Sequence, residues 1–186
     1  MQHILAELGL EVVPEIKVPD KLMLALKEFE LSHERFLVLW GPPGTYKTTA
    51  VKQYLKALAE KKYARNEKVG VYDLKFVRFV DMPRLWKEEE EFFYRTQILA
   101  IDDLVLSPDL PGKFLMKLFS LIDYRYTHPR KTIITTNHDL TSLLKGEVSF
   151  QQRIAGRLCD ANLSKRVSTK ISYRTPNEPS GKSVRW

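Results

Sequence analysis

The junction at residues 35–50, where the apolar run RFLVLW meets GPPGTYKTTA, constrains this chain more than any other stretch. A run that short and that uniformly apolar, stopped by Gly-Pro-Pro-Gly, reads as a strand buried on both faces, the habit of a parallel sheet covered by helices. Directly after the loop, Val51, Tyr54, Leu55 and Leu58 recur at i, i+3, i+4 and i+7, the period of an amphipathic helix. A strand that turns into a helix through a glycine-rich loop gathers main-chain N–H groups and the positive end of the helix at one point, and such a point attracts phosphate.

Gly41 through Thr48 fit the pattern G-x-x-x-x-G-K-[ST] at every fixed position but one, because Tyr46 stands where glycine is expected. The nucleotide-binding stretch is Gly41, Pro42, Pro43, Gly44, Thr45, Tyr46, Lys47, Thr48 and Thr49, with N–H groups from Gly44 to Thr48 directed at phosphate oxygens. Lys47 is expected to bridge the β- and γ-phosphates, and the Thr48 hydroxyl to bind Mg²⁺. Two readings of Tyr46 stay open. Either the position needs a backbone conformation or a close approach that favours glycine, or it is helical and the ring projects away while the N–H donors survive.

Two further strands end in chemistry. ILAIDD closes on Asp102 and Asp103, 55 residues after Lys47. Adjacent acids at a strand end suit metal-assisted phosphoryl transfer, Asp102 serving Mg²⁺ and its water shell, Asp103 the attacking water. TIITTN ends on Asn137, whose amide offers a donor and an acceptor to orient that water and a phosphate oxygen.

Between these landmarks, PEIKVP (residues 14–19) predicts an extended lead-in, and Asp20 a cap for a helix that buries Leu22, Leu26 and Phe29. VGVYDLKFVRFV predicts a strand, and the chain turns helical from Pro83. GKFLMKLFSLIDYRY predicts a helix with Leu115, Leu118, Phe119 and Ile122 on one face; FQQRIAGRL predicts a short helix and KRVSTKISY a last strand. The alternation of strands and helices predicts an α/β fold with a mostly parallel sheet.

One cysteine, Cys159, excludes an internal disulfide, and four histidines without a Cys/His cluster offer no zinc spacing. With no signal-peptide pattern and no apolar run of membrane-spanning length, a cytoplasmic protein is expected. Charge is uneven: residues 1–110 hold 16 basic and 18 acidic side chains, residues 111–186 hold 14 and 5. Such an excess fits a solvated face or a polyanion surface. Lys113, Lys117, Arg125, Arg130 and Lys131, interleaved with Tyr124 and Tyr126, make a single-strand-binding pattern of cations and stacking rings, although the tyrosines read equally well as core or interface residues.

Taken together, GPPGTYKT, the Asp102-Asp103 pair and Asn137 resemble the Walker A, Walker B and sensor 1 motifs of AAA+ ATPases. LFSLIDYRY and RIAGRL are similar to segments of the DnaC/DnaI helicase-loader branch and its IstB-like transposition relatives. The resemblance covers roughly residues 20–173 and implies a five-stranded parallel P-loop αβα sandwich with no clear C-terminal lid domain, residues 1–19 serving as an extended linker and 20–186 as the ATPase domain. It implies ATP and Mg²⁺ as cofactors and head-to-tail homo-oligomers in which Arg153, or alternatively Arg157, reaches the neighbour's nucleotide. Arg174, or alternatively Arg185, is implied as sensor 2, and single-stranded DNA and a replicative helicase as partners. Two departures stand out, Tyr46 and the short stretch before the first strand where loaders usually carry a helicase-binding domain. The expected activity is slow ATP hydrolysis in DNA replication. The alternatives are a nucleotide-gated DNA-binding adaptor disabled by Tyr46, an IstB-like transposition ATPase, or an ATPase of another P-loop group.

Overall fold

The computed structural model describes residues 1–145 and 149–169. Five strands form one sheet, β1 (Phe36–Trp40), β2 (Leu74–Arg78), β3 (Ile98–Asp102), β4 (Lys131–Thr136) and β5 (Ser164–Ser168). Their spatial order is β2-β3-β4-β1-β5, and every pairing is parallel. The predicted α/β class and parallel sheet are therefore what the chain adopts.

Successive side chains of a strand point to opposite faces, and here they feed two cores. Phe36, Val38, Val77, Leu99, Ile101 and Ile134 face one, covered by α4 (Met82–Glu88), α5 (Glu90–Arg95), α6 (Gly112–Thr127) and α7 (Phe150–Cys159). Leu37, Leu39, Leu74, Phe76, Ala100 and Ile133 face the other, covered by α1 (Gln2–Glu7), α2 (Asp20–Leu31) and α3 (Lys47–Ala64).

Local differences from the sequence reading have physical causes. Residues 1–19 are not a linker throughout: Gln2–Glu7 is helical, and Leu5, Leu8, Leu10 and Val18 are buried in the second core. Each buried leucine contributes about 1.5–3 kcal/mol, and the Phe76 N–H donates to the Leu8 carbonyl at 2.9 Å, so the segment is tied to the edge strand β2. Only residues 11–19 keep the extended course expected of 14–19. Asp20 is the first helical residue of α2 and makes no side-chain cap; Pro19 holds the cap position. The long VGVYDLKFVRFV run yields just Leu74–Arg78 as strand, and Phe79–Asp81 is a 3₁₀ turn. The helix from Pro83 is broken at Glu89, where the backbone takes φ −145° and ψ 53°.

Candidate functional site

The C-terminal ends of β1, β3 and β4 open onto a cleft of ≈ 540 Å³ lined by Pro43, Gly44, Thr45, Tyr46, Lys47, Thr48, Thr49, Asp102, Asp103, Thr135, Asn137 and Ile16. This is where a parallel α/β sheet binds ligands. Three stretches of sequence, read separately, converge there.

The loop 41–46 leads into α3, whose first helical bond runs from the Ala50 N–H to the Tyr46 carbonyl at 2.9 Å. The N–H groups of Lys47, Thr48 and Thr49 precede that bond and belong to the unpaired first turn of the helix. Gly41 and Gly44 have φ values of 144° and 77°. Tyr46 has φ 61° and ψ 15°, so the left-handed conformation expected of glycine is kept by a tyrosine. Tyr46 packs against the second core and, like Ile16, also lines the cleft.

Lys47 is buried, and its Nζ donates to the carbonyls of Gly41 at 2.7 Å and Pro42 at 2.8 Å and to Thr45 Oγ1 at 3.2 Å. Burial lowers the ammonium pKa, and the charges of Asp103 and Asp102 oppose that shift. Gly41 and Pro42 thus act through their carbonyls and do not line the cleft. Thr45 also meets Thr169 at 2.8 Å, oxygen to oxygen. Thr169 in turn donates its N–H to the Trp40 carbonyl at 2.7 Å, which latches the end of β5 to the loop. Sequence reasoning missed Thr169, because nothing in a lone threonine marks the strand neighbour it will face.

The acids are organised by threonines. Asp102 Oδ1 accepts the Thr48 hydroxyl at 2.7 Å and the Thr135 hydroxyl at 2.6 Å. Asp103 turns away with φ 56°, and its Oδ1 accepts the Asn137 amide at 2.8 Å. Among the described residues, two of the three non-glycine residues with positive φ, Tyr46 and Asp103, lie in this cleft; backbone conformations of this kind concentrate at functional sites.

The residues present fit a magnesium nucleotide. Because its hydroxyl donates a hydrogen bond to Asp102, Thr48 keeps its oxygen lone pairs directed away, toward a cation. One hydroxyl and one carboxylate suit Mg²⁺, which keeps most of its waters and takes phosphate oxygens. Among the described residues no group of three or more His, Cys, Asp or Glu side chains converges as a protein-only metal cage.

Other predicted residues lie elsewhere. Arg153 and Arg157 sit on α7, outside the cleft lining. Arg157 Nε donates to Asp123 Oδ1 at 2.9 Å, and its guanidinium stacks on Tyr126 at 4.4 Å. Arg153 is exposed, 6.0 Å from the Phe119 ring centre. Arg174 and Arg185 lie outside the described residues. The predicted basic run breaks apart: Arg125 is fully buried in the core, and Lys131 Nζ donates to the Phe29, Ser32 and Glu34 carbonyls at 2.9, 2.6 and 2.8 Å. Burial, with four acceptors gathered around it, removes Arg125 from any surface. Lys117 pairs with Glu90 at 3.4 Å, while Lys113 is exposed. Tyr124 is half-buried between Tyr94 and His128, and Tyr126 stacks on Phe36 and donates its hydroxyl to Asp160. No helix among the described residues is long and apolar enough to cross a membrane.

No protein-family model matches the chain, and no curated protein does. Solved structures do. The crystal structure of DnaI superposes with a TM-score of 0.60 at 18% identity, covering 91% of this chain and 91% of that one. The DnaC helicase loader gives 0.56 at 20%, covering 84% and 93%. AMPPCP-bound DnaA from Aquifex aeolicus gives 0.56 at 17%, covering 82% of this chain and 45% of the larger protein. The chain has the fold of these domains, a five-stranded parallel αβα sandwich with a phosphate-loop-like turn after β1.

Proposed function

We propose that this protein binds Mg·ATP at the C-terminal edge of its sheet and hydrolyses it slowly, as an AAA+ switch acting with single-stranded DNA or a replicative helicase. The observation that carries the reading is the bond from Thr48 to Asp102 at 2.7 Å. It joins the phosphate loop to the acidic strand end as a magnesium site requires, with Lys47 six residues from the loop carbonyl that holds it.

In this reading Lys47 leaves its own carbonyls for the β- and γ-phosphates, and the loop N–H groups and the start of α3 supply the remaining positive field. Magnesium, when bound at Thr48 and Asp102, neutralises charge on the phosphate oxygens. Asp103 orients the attacking water and accepts its proton, and Asn137, hydrogen-bonded to that carboxylate, fixes its direction. Turnover is slow because the aspartate is short and Asn137 occupies one of its oxygens.

Assembly follows from the arginines. Arg157 is engaged within its own protomer, so exposed Arg153 is the residue we assign to a neighbour's nucleotide. The helicase or DNA client is supported by the likeness of fold to a helicase loader and to DnaA. A second reading, a nucleotide-gated adaptor without turnover, draws on Tyr46 at φ 61°.

Calorimetry with Mg·ATP, followed by ATP turnover with and without single-stranded DNA, tests both readings. Lys47→Ala is expected to weaken Mg·ATP binding at least about 100-fold, about 2.7 kcal/mol, and Arg153→Ala to lower turnover while leaving single-protomer binding intact. No heat of binding in the parent protein sinks both. Turnover that appears only in Tyr46→Gly selects the adaptor.

A further inference from the structure

We infer that Thr135 is a positioning residue that gives the two adjacent acids their separate tasks; the inference rests on the Mg·ATP reading of the cleft. Neither the spacing of the motifs nor the roles proposed above assign it anything.

Thr135 is buried, in the penultimate position of β4, and lines the cleft. Its single hydroxyl works in both directions. It donates to Asp102 Oδ1 at 2.6 Å and accepts the Asp103 N–H at 2.8 Å. The Thr135 carbonyl accepts the Leu104 N–H at 2.8 Å, and the neighbouring Thr136 hydroxyl donates to the Leu104 carbonyl at 2.8 Å. The turn 102–104 is thereby clipped to β4 at four points.

Two consequences follow. Asp102 Oδ1 already accepts the hydroxyls of Thr48 and Thr135, so Oδ2 is the oxygen left to face a cation's water shell, and the carboxylate is held in one orientation. Asp103 sits in the left-handed region at φ 56°, a conformation that aspartate enters more readily than most side chains but that still needs support from its surroundings. The N–H to Thr135 bond holds that conformation, and the conformation sends the Asp103 carboxylate to Asn137 and away from Asp102. Without the hydroxyl, two neighbouring carboxylates are free to reach for the same cation.

Thr135→Val keeps the shape of the side chain and removes the hydroxyl; Thr135→Ser keeps the hydroxyl. Hydrogen exchange in the nucleotide-free protein reads the clip directly. The Asp103 amide is expected to exchange at least about tenfold faster in the valine variant, a loss of about 1.4 kcal/mol of protection, and at the parental rate in the serine variant, with Leu99 and Ile133 amides unchanged in both. In the Mg·ATP-loaded protein the valine variant is expected to lose at least about tenfold in kcat with less than about threefold change in Kd for Mg·ATP, serine restoring kcat. Unchanged Asp103 exchange in the valine variant overturns the inference, as does equal loss of kcat in both variants. Absence of Mg·ATP binding in the parent defeats the functional reading instead, and leaves the exchange experiment to decide the clip.

Discussion

Lys47 and Arg125 are both cations buried against the same sheet, one at the C-terminal ends of its strands and one at the N-terminal ends, and they do opposite things. Lys47 holds oxygens no more than six residues away, in a loop bordering an open cleft with two carboxylates nearby. Arg125 donates to the carbonyls of Phe93 at 3.0 Å, Thr96 at 2.9 Å and Lys131 at 2.6 Å and to Thr132 Oγ1 at 2.7 Å. These acceptors come from α5, the turn before β3 and the start of β4, and they close around the guanidinium. Burial of a positive charge is therefore no mark of function. What separates the two is whether the acceptors enclose the cation or leave it free to exchange them for a ligand.

Breaking the enclosed cation should have the largest effect. Arg125→Met leaves three carbonyls and a hydroxyl without their donor, at about 1–3 kcal/mol per buried group left unpaired. Partial relaxation makes a net loss of about 3–5 kcal/mol reasonable, a fall in Tm of about 10 °C for a domain of this size. Burial drives the Arg125 pKa down to about 9, with the Arg130 charge adding to the shift. Lys47→Ala, by contrast, should move Tm by no more than a few degrees while removing nucleotide binding. Calorimetric melting of the two variants checks the pair. A loss below about 1 kcal/mol for Arg125→Met erases the distinction.

The same contrast explains what the sequence conveyed. The loop, Asp102, Asp103 and Asn137 were legible because each ends a contiguous apolar strand and a parallel sheet brings strand ends to one edge. Arg125 was read as surface because its acceptors lie up to 32 residues away and are mostly main-chain carbonyls, which have no sequence signature. Lys131 failed for the same reason, since it serves the carbonyl end of α2 about a hundred residues earlier. The helix Gln2–Glu7 is too short for periodicity to declare a buried face, and Leu8 and Leu10 lie beyond its end. Thr135 was hidden inside a β-branched run that strand propensity alone accounted for.

Tyr46 sharpens the comparison within the cleft by separating backbone strain from ring packing. At φ 61° an L-residue costs about 1–2 kcal/mol relative to glycine, while the ring recovers part of that against the second core. Tyr46→Gly relieves the strain, loses the ring and loosens the unfolded chain, so its net effect on urea stability should stay within about 1 kcal/mol. Tyr46→Ala keeps the strain and loses the ring, and should be worse than glycine by about 1 kcal/mol. Equal stability of the two variants would show that the left-handed backbone is not carried into solution.

The smallest effect concerns α3, the helix that runs from the cleft toward the enclosed edge. Two turns beyond Lys47, the buried Tyr54 donates its hydroxyl to Glu30 Oε2 of α2 at 3.0 Å. Burial, reinforced by the Glu30 charge and that hydrogen bond, raises the phenol pKa far above its ordinary 10.0. Above pH 10 the unfolded chain releases this proton and the folded chain keeps it. The folded state then binds more protons, and stability falls as pH rises, by up to about 1.4 kcal/mol per pH unit from this group. Tyr54→Phe gives up the hydrogen bond, about 1 kcal/mol at pH 8, but carries no such slope. Urea unfolding at pH 8, 10 and 11 should find the variant weaker at pH 8 and level with the parent, or ahead of it, at pH 11. Parallel curves across that range would mean the phenol ionises in the folded protein, and that the seam between α2 and α3 admits water as the open cleft does.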